Sequence, residues 1–178
     1  MQKMSTKMMV EAGIMIALAQ ILSYIKIFEA PYGGSVTAGS MVPIIIFSLR
    51  WGYKKGILVG FTYGILQFVL GPKYSYHIIS LLMDYFVAFS ALGLAGLFND
   101  SRAGSIMGTC LAVFVRFVCH VISGIVVFGS FAPDTMNPAV YSIIYNAAYL
   151  LPEMAISVLI VSVIYAPLKK ASPAMKAV

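Results

Sequence analysis

The sequence predicts an all-α integral membrane protein with six transmembrane helices and with both termini in the cytoplasm. Its composition indicates a membrane protein, because 61% of the 178 residues are hydrophobic and only 10% are charged, whereas soluble domains carry roughly 25% charged residues. The apolar residues fall into six runs of helical length. The charged residues cluster in the connections between these runs, and their distribution predicts the orientation.

The six runs form one domain over residues 1–178. In chain order the predicted spans are 7–28, 36–50, 54–70, 76–98, 104–128 and 138–165. The second run is short for a hydrocarbon core of about 30 Å, so a re-entrant segment is the alternative to a full crossing. The connection 29–35 is rich in Gly and Pro, and we predict that it forms an outer loop that acts as a mobile lid.

The basic residues favour six crossings. Six crossings place most of them in the cytoplasm, namely Lys3, Lys7, Arg50, Lys54, Lys55, Arg102, Lys169, Lys170 and Lys176. Only Lys26 and Lys73 then lie outside, and Arg116 lies within a helix. If the second run did not cross, Arg50 and the later basic connections would lie outside, which the positive-inside rule disfavours. The basic residues form no continuous face, so the net charge of +6 does not predict binding to nucleic acid.

Small residues at intervals of four predict close contacts between helices. Gly56, Gly60 and Gly64 follow this spacing in the third span, and we expect this strip to pack against another helix of the same chain. Gly13 and Ala17 repeat the spacing in the first span. An outer helix can also contact another subunit, so both kinds of partner stay open for this pair.

Three polar side chains are predicted to lie at one depth. Asp84, His120 and Asn146 each lie eight residues from the predicted outer end of their span. At a rise of 1.5 Å per residue, each sits about 12 Å below the outer boundary. A charged group in the membrane costs at least about 2.5 kcal/mol on insertion scales, so it normally marks a site or a buried pair. We therefore expect a pocket in the outer half of the bundle.

Six aromatic residues are predicted to lie near the depth of these three polar side chains. They are Tyr74, Tyr85, Phe128, Tyr141, Tyr145 and Tyr149. Tyrosine at the ends of membrane helices often forms only an interfacial belt, which is the alternative for Tyr74 and Tyr141 taken singly. A carboxylate ringed by aromatic faces favours a flat cationic ligand, through charge pairing and cation–π contact.

The other polar residues in the spans are expected to be structural. Arg116 and Glu153 lie at similar depths near the middle of the membrane, which predicts an ion pair between their helices. Glu11 is expected to reach the cytoplasmic interface. Cys110 and Cys119 lie half a turn out of phase on one helix and cannot form a disulfide with each other. The chain contains no recognisable nucleotide, metal or hydrolase motif, so we predict that it is not an enzyme.

Several short motifs together resemble a known family. They are Gly33-Gly34-Ser35-Val36-Thr37, Ser40-Met41-Val42-Pro43, Asp84-Tyr85, Arg116-Phe117-Val118-Cys119-His120, the stretch from Tyr141 to Asn146, and Tyr149-Leu150-Leu151-Pro152-Glu153. In this order, over nearly the whole chain, they resemble the thiamine-specific substrate-binding subunit (S-component) of energy-coupling factor (ECF) transporters. No single motif is specific, but the combination is.

The resemblance implies a prokaryotic, multi-pass protein of the cell membrane that captures thiamine from outside with high affinity. The partners it implies are a transmembrane coupling subunit and two cytoplasmic ATPases, so ATP is used by the partners and this chain needs no cofactor or metal. The smooth surface around Gly13 and Ala17 is where the resemblance implies docking to the coupling subunit.

The resemblance also implies a set of substrate-binding residues. They are Asp84, Tyr85, His120, Tyr141, Asn146, Tyr74, Phe128 and, in the lid, Tyr32. Phe128 and Tyr32 stand in for the tryptophans that the family often uses around the ligand. The single tryptophan, Trp51, is predicted to lie on the cytoplasmic side, away from the pocket.

Two alternatives stay open. One is an S-component for another small vitamin or a pyrimidine precursor. The other is a small intramembrane enzyme that uses Asp84 and His120 as an acid–base pair, which the absence of a catalytic motif disfavours.

Overall fold

The structure is a computed structural model that describes residues 5–171, apart from the side chains of Tyr32 and Ala171. Lys3 and Lys176, which were counted in the predicted charge distribution, lie outside these residues. Six helices, α1–α6, are present, as predicted. The connections after α1, α3 and α5 all contribute to one cavity, and we call this side of the molecule the pocket end.

Helix α1 ends earlier than predicted. It covers Thr6–Ser23, and the Ser5 side chain caps it by accepting a hydrogen bond of 3.3 Å from the Met8 amide. The predicted span 7–28 is therefore too long at its C-terminal end. The following residues are exposed and extended instead of helical.

A two-stranded hairpin replaces the end of the first predicted span and most of the predicted loop 29–35. Strand β1 (Lys26–Glu29) pairs antiparallel with β2 (Ser35–Thr37), and a turn of 3₁₀ helix at Pro31–Gly33 joins them. Ile27 and Phe28 favour a strand over a helix, and the Gly/Pro-rich turn closes the hairpin. The segment predicted to form the lid is thus part of a hairpin over 26–37.

Helix α2 is short because the hairpin occupies the first part of its predicted span, 36–50. It covers Val42–Trp51, with Pro43 in its first turn, a position where proline costs no hydrogen bond. Its central residues are buried, and Ile44, Ile45 and Phe47 are completely inaccessible. It packs against α1, α3, α4 and α6, so it is the central helix of the bundle.

Helix α3 (Tyr53–Leu70) lies against α4 (Ile78–Leu97) along the predicted glycine strip. A Cβ at Gly60 would lie 2.3 Å from the Phe89 carbonyl oxygen, and one at Gly64 would lie 2.5 Å from the Tyr85 carbonyl oxygen. The prediction that this strip packs within the chain is therefore confirmed. Only glycine lets the two backbones approach so closely.

Helix α4 is irregular. A wide π-helical segment, Leu81–Val87, is followed after a short α-helical stretch by a tight 3₁₀ segment, Ala91–Leu97. Single turns of π-helix are rare and are frequently found at functional sites. Both Asp84 and Tyr85 belong to the π segment.

Helices α5 (Arg102–Val127) and α6 (Pro138–Ala171) complete the bundle and pack against each other. Helix α6 extends beyond its predicted end at residue 165 and contains Pro152 and Pro167. Within the described residues, α1, α4, α5 and α6 are long and apolar enough to cross a membrane.

Glu11 has a structural role, as predicted. It forms an ion pair of 3.1 Å with Arg50, at the end of α2. Both side chains are largely buried, so the pair ties α1 to α2 away from the pocket end.

Candidate functional site

A cavity of about 290 Å³ opens at the pocket end. It is lined by residues of α3–α6, by the hairpin, and by the ends of α1 and α2. Seven of the eight predicted substrate-binding residues line it, namely Tyr74, Tyr85, Asp84, His120, Phe128, Tyr141 and Asn146. The eighth, Tyr32, belongs to the hairpin turn, but its side chain lies outside the described residues.

The carboxylate of Asp84 is held by three side chains. Its Oδ2 accepts hydrogen bonds of 2.6 Å from the hydroxyls of Ser80 and Ser123. Its Oδ1 lies 2.8 Å from His120 Nδ1. A carboxylate has about four lone-pair sites, so this arrangement fixes the group and leaves it capacity for one further donor.

His120 links Asp84 to the wall of the cavity. When neutral His120 donates its Nδ1 proton to Asp84, its Nε2 is a hydrogen-bond acceptor. That Nε2 is buried and has no partner in the described part of the chain. The imidazole ring also meets the Tyr149 ring edge-on, with 6.3 Å between centroids. The histidine therefore offers an acceptor in a fixed orientation.

Asn146 is buried, with 4% of its surface exposed, and both ends of its amide are engaged. The nitrogen donates to the Ser142 carbonyl oxygen at 2.8 Å, and the oxygen accepts from the Tyr149 hydroxyl at 2.5 Å. Gly124 makes room for this cluster, because a Cβ there would lie 2.1 Å from Ser142 Oγ. In this conformation Asn146 positions Tyr149, and its amide oxygen keeps one lone pair for a further donor.

Tyrosine rings build one side of the cavity on α6. The rings of Tyr141 and Tyr145 are stacked with centroids 6.1 Å apart, and Tyr145 meets Tyr149 edge-on at 5.9 Å. At the end of α5, the ring centroids of Phe128 and Phe131 lie 6.1 Å apart. Such faces attract a flat cation.

Tyr85 and Tyr74 lie near the connection between α3 and α4. The Tyr85 hydroxyl donates to the Pro72 carbonyl oxygen at 3.1 Å, and its ring packs edge-on against Phe68 at 5.3 Å. Tyr74 is 46% exposed and lies under the hairpin turn. Gly33 at that turn has φ +112°, and a Cβ there would lie 2.3 Å from the Tyr74 ring.

Two residues of α6 that lie eight positions apart, Tyr145 and Glu153, attach the hairpin to the helix. The Tyr145 hydroxyl donates to the Pro31 carbonyl oxygen and accepts from the Gly34 amide at 3.0 Å. Two turns further along α6, Glu153 Oε1 accepts from the Thr37 amide and, at 2.6 Å, from the Thr37 hydroxyl. The hairpin therefore covers the cavity in a defined position.

The predicted ion pair between Arg116 and Glu153 is wrong, since no ion pair joins these two described residues. The Arg116 guanidinium instead lies over the Phe89 ring, 3.9 Å from its centroid. Glu153 is engaged by Thr37 through one oxygen. Both residues line the cavity. Equal depth on two helices does not fix the direction in which each side chain points.

Some residues of the site were missed in the sequence. Ser80 lies one turn before Asp84, and Ser123 lies close to one turn after His120. This spacing on a helix face was the available signal, but serines are too common in membrane helices for the spacing alone to be specific. The sequence singles out Thr37 only as part of the motif at residues 33–37 and predicts no contact for it, because residues 36–50 are predicted to be helical.

The predicted docking pair lies apart from the cavity. Gly13 and Ala17 are exposed on α1, and a Cβ at Gly13 would have no atom within 4 Å. Cys110 and Cys119 are free thiols, as predicted. In the described part of the chain, no three His, Cys, Asp or Glu side chains are grouped so that they could hold a metal ion.

Comparison with known families gives a match over nearly the whole chain. Residues 9–173 match the family model described as thiamine transporter protein. The thiamine transporter ThiT of Bacillus subtilis (strain 168) is 37% identical over 172 residues, which cover 88% of this chain and 89% of that protein. The thiamine transporter ThiT of Lacticaseibacillus paracasei is 28% identical, over 86% of this chain and 84% of that protein. The resemblance inferred from the motifs is confirmed.

Solved structures share the fold. A structure of ThiT from Listeria monocytogenes superposes with a TM-score of 0.81 at 22% identity, covering 92% of this chain and 95% of that one. A structure described as the S component of a bacterial ECF transporter gives a TM-score of 0.55 at 18% identity, covering 93% and 94%. At these identities the likeness concerns the arrangement of the helices.

Proposed function

Because this chain belongs to the family of thiamine transporter proteins, we propose that it is the thiamine-binding membrane subunit of an ECF transporter. It captures thiamine in the cavity at the pocket end and delivers it with a separate, ATP-driven module. The names of the sequence relatives support the ligand. The shared helix arrangement with an S component supports the type of subunit.

The observation that carries this proposal is a fixed carboxylate facing aromatic walls. Thiamine joins an aminopyrimidine to a cationic thiazolium ring that bears a hydroxyethyl arm. Asp84 supplies the opposite charge, and the rings of α6 and Phe128 supply faces for a flat cation. A preformed apolar cavity with few oriented polar groups is the usual form of a small-molecule site.

The charges of the lining support a monovalent cation. Besides Lys26, which is bonded to Glu29 at 2.6 Å, the charged residues of the lining are Asp84, Arg116 and Glu153. With both carboxylates ionised these three carry a net charge of −1. The single positive charge of a thiazolium ring neutralises it, which lowers the cost of burying the charges together.

The roles of individual lining residues follow from the charges, aromatic faces and unused hydrogen-bonding atoms that they present to the cavity. Asp84 pairs with the ligand cation, and His120 Nε2 accepts a hydrogen bond from a ligand donor such as the amino group. Tyr74, Tyr141 and Phe128 flank the rings at the opening, and Tyr85 closes the side formed by α4. Asn146 fixes Tyr149 and offers the remaining lone pair of its amide oxygen to a donor of the ligand. We assign Tyr32 to the lid on the strength of the family resemblance alone.

The direction of transport sets the orientation that we propose. The pocket end faces outside, both termini face the cytoplasm, and the chain crosses the cell membrane six times, with the ten residues of α2 forming only part of the second crossing. The exposed basic residues Lys54, Lys169 and Lys170 then lie inside, in agreement with the positive-inside rule. The proposed partners are a transmembrane coupling subunit, which docks at Gly13 and Ala17, and two ATPases, which use the ATP.

The alternatives receive less support. The named relatives are transporters, so the chain is not an intramembrane enzyme that uses Asp84 and His120. A subunit for another vitamin or a pyrimidine precursor has no observation in its favour beyond the general shape of the cavity.

The test is to purify the chain in detergent, release any retained ligand by denaturation, and identify it by mass. Ligand-free protein is then titrated with thiamine by calorimetry, without ATP or partners. We expect tight binding of one thiamine per chain. Absence of heat, together with absence of competition by thiamine for a retained ligand, would refute the proposed function.

A further inference from the structure

The cavity continues below Asp84 to a second polar level. The lining contains two rows of residues in which each residue lies four positions from the next. On α5 the row is Phe128, Gly124, His120 and Arg116, and on α6 it is Tyr141, Tyr145, Tyr149 and Glu153. Each row spans twelve residues, or about 18 Å at the helical rise. The two helices run in opposite directions from the opening, so Arg116 and Glu153 end the two rows at the same depth.

Both residues at this floor carry polar atoms without a partner. Arg116 Nε and Nη1 are buried and make no hydrogen bond in the described part of the chain. Glu153 is only 3% exposed, and its Oε2 is likewise without a partner. Neighbours hold both groups in place, since Arg116 stacks on Phe89 and Glu153 Oε1 accepts from Thr37. Donors and an acceptor are thus fixed at the floor and unused.

We propose that Arg116 and Glu153 form a subsite for a neutral hydroxyl group, which in the bound ligand is the hydroxyl of the hydroxyethyl arm of thiamine. This inference rests on the proposed function. A hydroxyl both donates and accepts, so one group accepts from the guanidinium and donates to Glu153 Oε2. The positive charge of Arg116 repels a second cation at this position, and the negative charge of Glu153 repels a carboxylate.

The geometry agrees with a thiazolium ring at the level of Asp84. Asp84 contacts His120 directly, and Arg116 lies one turn further in, about 6 Å along the axis. The three covalent bonds from the ring carbon to the hydroxyl oxygen, together with one hydrogen bond of about 2.9 Å, cover this distance. The charged ring then stays beside Asp84, while only the neutral arm reaches Arg116.

The experiment compares thiamine with its analogue in which an ethyl group replaces the hydroxyethyl arm. For the wild-type chain we expect thiamine to bind on the order of tenfold to hundredfold more tightly, because hydrogen bonds to charged groups are lost in the analogue. In Arg116→Gln and in Glu153→Gln the ratio of the two dissociation constants should fall to within about threefold. Glu153→Gln keeps a carbonyl oxygen for Thr37, so it preserves the attachment of the hairpin.

The matched control is Phe128→Leu, which weakens both ligands through ring stacking and should keep the wild-type ratio. A wild-type ratio near one overturns the subsite, and so does a large ratio that persists in both variants. If one variant is not recovered folded, the other and the wild-type ratio decide. If neither ligand binds the wild-type chain, the proposed function itself fails and the subsite falls with it.

Discussion

Gly60 in α3 and Gly13 in α1 both belong to repeats of small residues spaced by four, yet their surroundings differ. A Cβ at Gly60 would lie 2.3 Å from a backbone oxygen of α4, whereas one at Gly13 would meet nothing within 4 Å. Val10 and Ile14, which lie near Gly13 on α1, are exposed as well, at 58% and 59%. One repeat is thus used inside the chain, and the other remains on the surface.

The buried repeat also supports the cavity. Gly60 contacts the backbone at Phe89, and Gly64 contacts the backbone at Tyr85, and both aromatic residues line the cavity. The close approach of α3 and α4 therefore places Asp84, which precedes Tyr85, at its observed position. The repeat on α1 contributes to neither the core nor the cavity, which leaves it available to a partner.

The largest effect is expected for Gly60→Leu. The new side chain meets backbone that cannot move aside, so the cost should be at least the roughly 1–3 kcal/mol of ordinary overpacking. We expect loss of monodisperse protein, a lower midpoint of thermal unfolding in detergent, and loss of thiamine binding together. Gly13→Leu is the control and should match the wild type in all three; equal behaviour of the two variants would contradict the comparison.

Removal of both serine hydroxyls from Asp84 should affect binding alone. In Ser80→Ala with Ser123→Ala, Asp84 keeps His120 but loses two hydrogen bonds of 2.6 Å, so its carboxylate is less well fixed. We expect about tenfold weaker thiamine binding, because the Asp84 carboxylate loses two hydrogen-bond partners. We expect little change in thermal unfolding, because serine and alanine are similar in size and the packing around Asp84 is kept. An unchanged affinity for thiamine would show that the hydroxyls of Ser80 and Ser123 do not position Asp84 for binding.

Gly13→Leu and Ala17→Trp should separate binding from transport. Both enlarge a smooth exposed surface, so they block close helix approach by a partner but leave the cavity unchanged. We expect wild-type affinity in the isolated variants and abolished ATP-dependent uptake in vesicles that contain the complete transporter. Normal uptake by both variants would rule out this surface as the docking site.

Trp51 should report thiamine poorly, which is the smallest expected effect. It lies ten residues along α2 from Met41, a lining residue, or about 15 Å along the helix axis. Lys55 lies over its ring at 5.7 Å, at the end away from the cavity. Thiamine should change tryptophan fluorescence only slightly; a large quench would indicate a rearrangement that reaches this end of the bundle.

The sequence predicted the parts of the fold that depend on the spacing of residues along single helices. The six helices follow from apolar runs, and the meeting of Asp84, His120 and Asn146 follows from counting residues from helix ends. The direct contact of 2.8 Å between Asp84 and His120 agrees with that count.

The features that the sequence did not predict depend on contacts between helices or on local backbone changes. Residues 26–28 and 36–37 are predicted to be helical and residues 29–35 to form a loop, but residues 26–37 form a hairpin of two paired strands that attaches to Glu153. Arg116 faces Phe89 instead of Glu153 because the rotation of each helix about its axis is set by packing, which depth does not reveal. The π-helical segment of α4 has no marker in its sequence.

The central claim is that Asp84, positioned by the contact of α3 with α4, binds the thiamine cation in this cavity. The most direct test is calorimetric titration of thiamine into the wild-type chain and into Asp84→Asn, with equal thermal unfolding as the check on folding. The variant keeps its size and loses its charge, so we predict at least tenfold weaker binding, on the order of the 1.5–3 kcal/mol of a charged hydrogen bond. Equal affinity of the two folded proteins would contradict the claim.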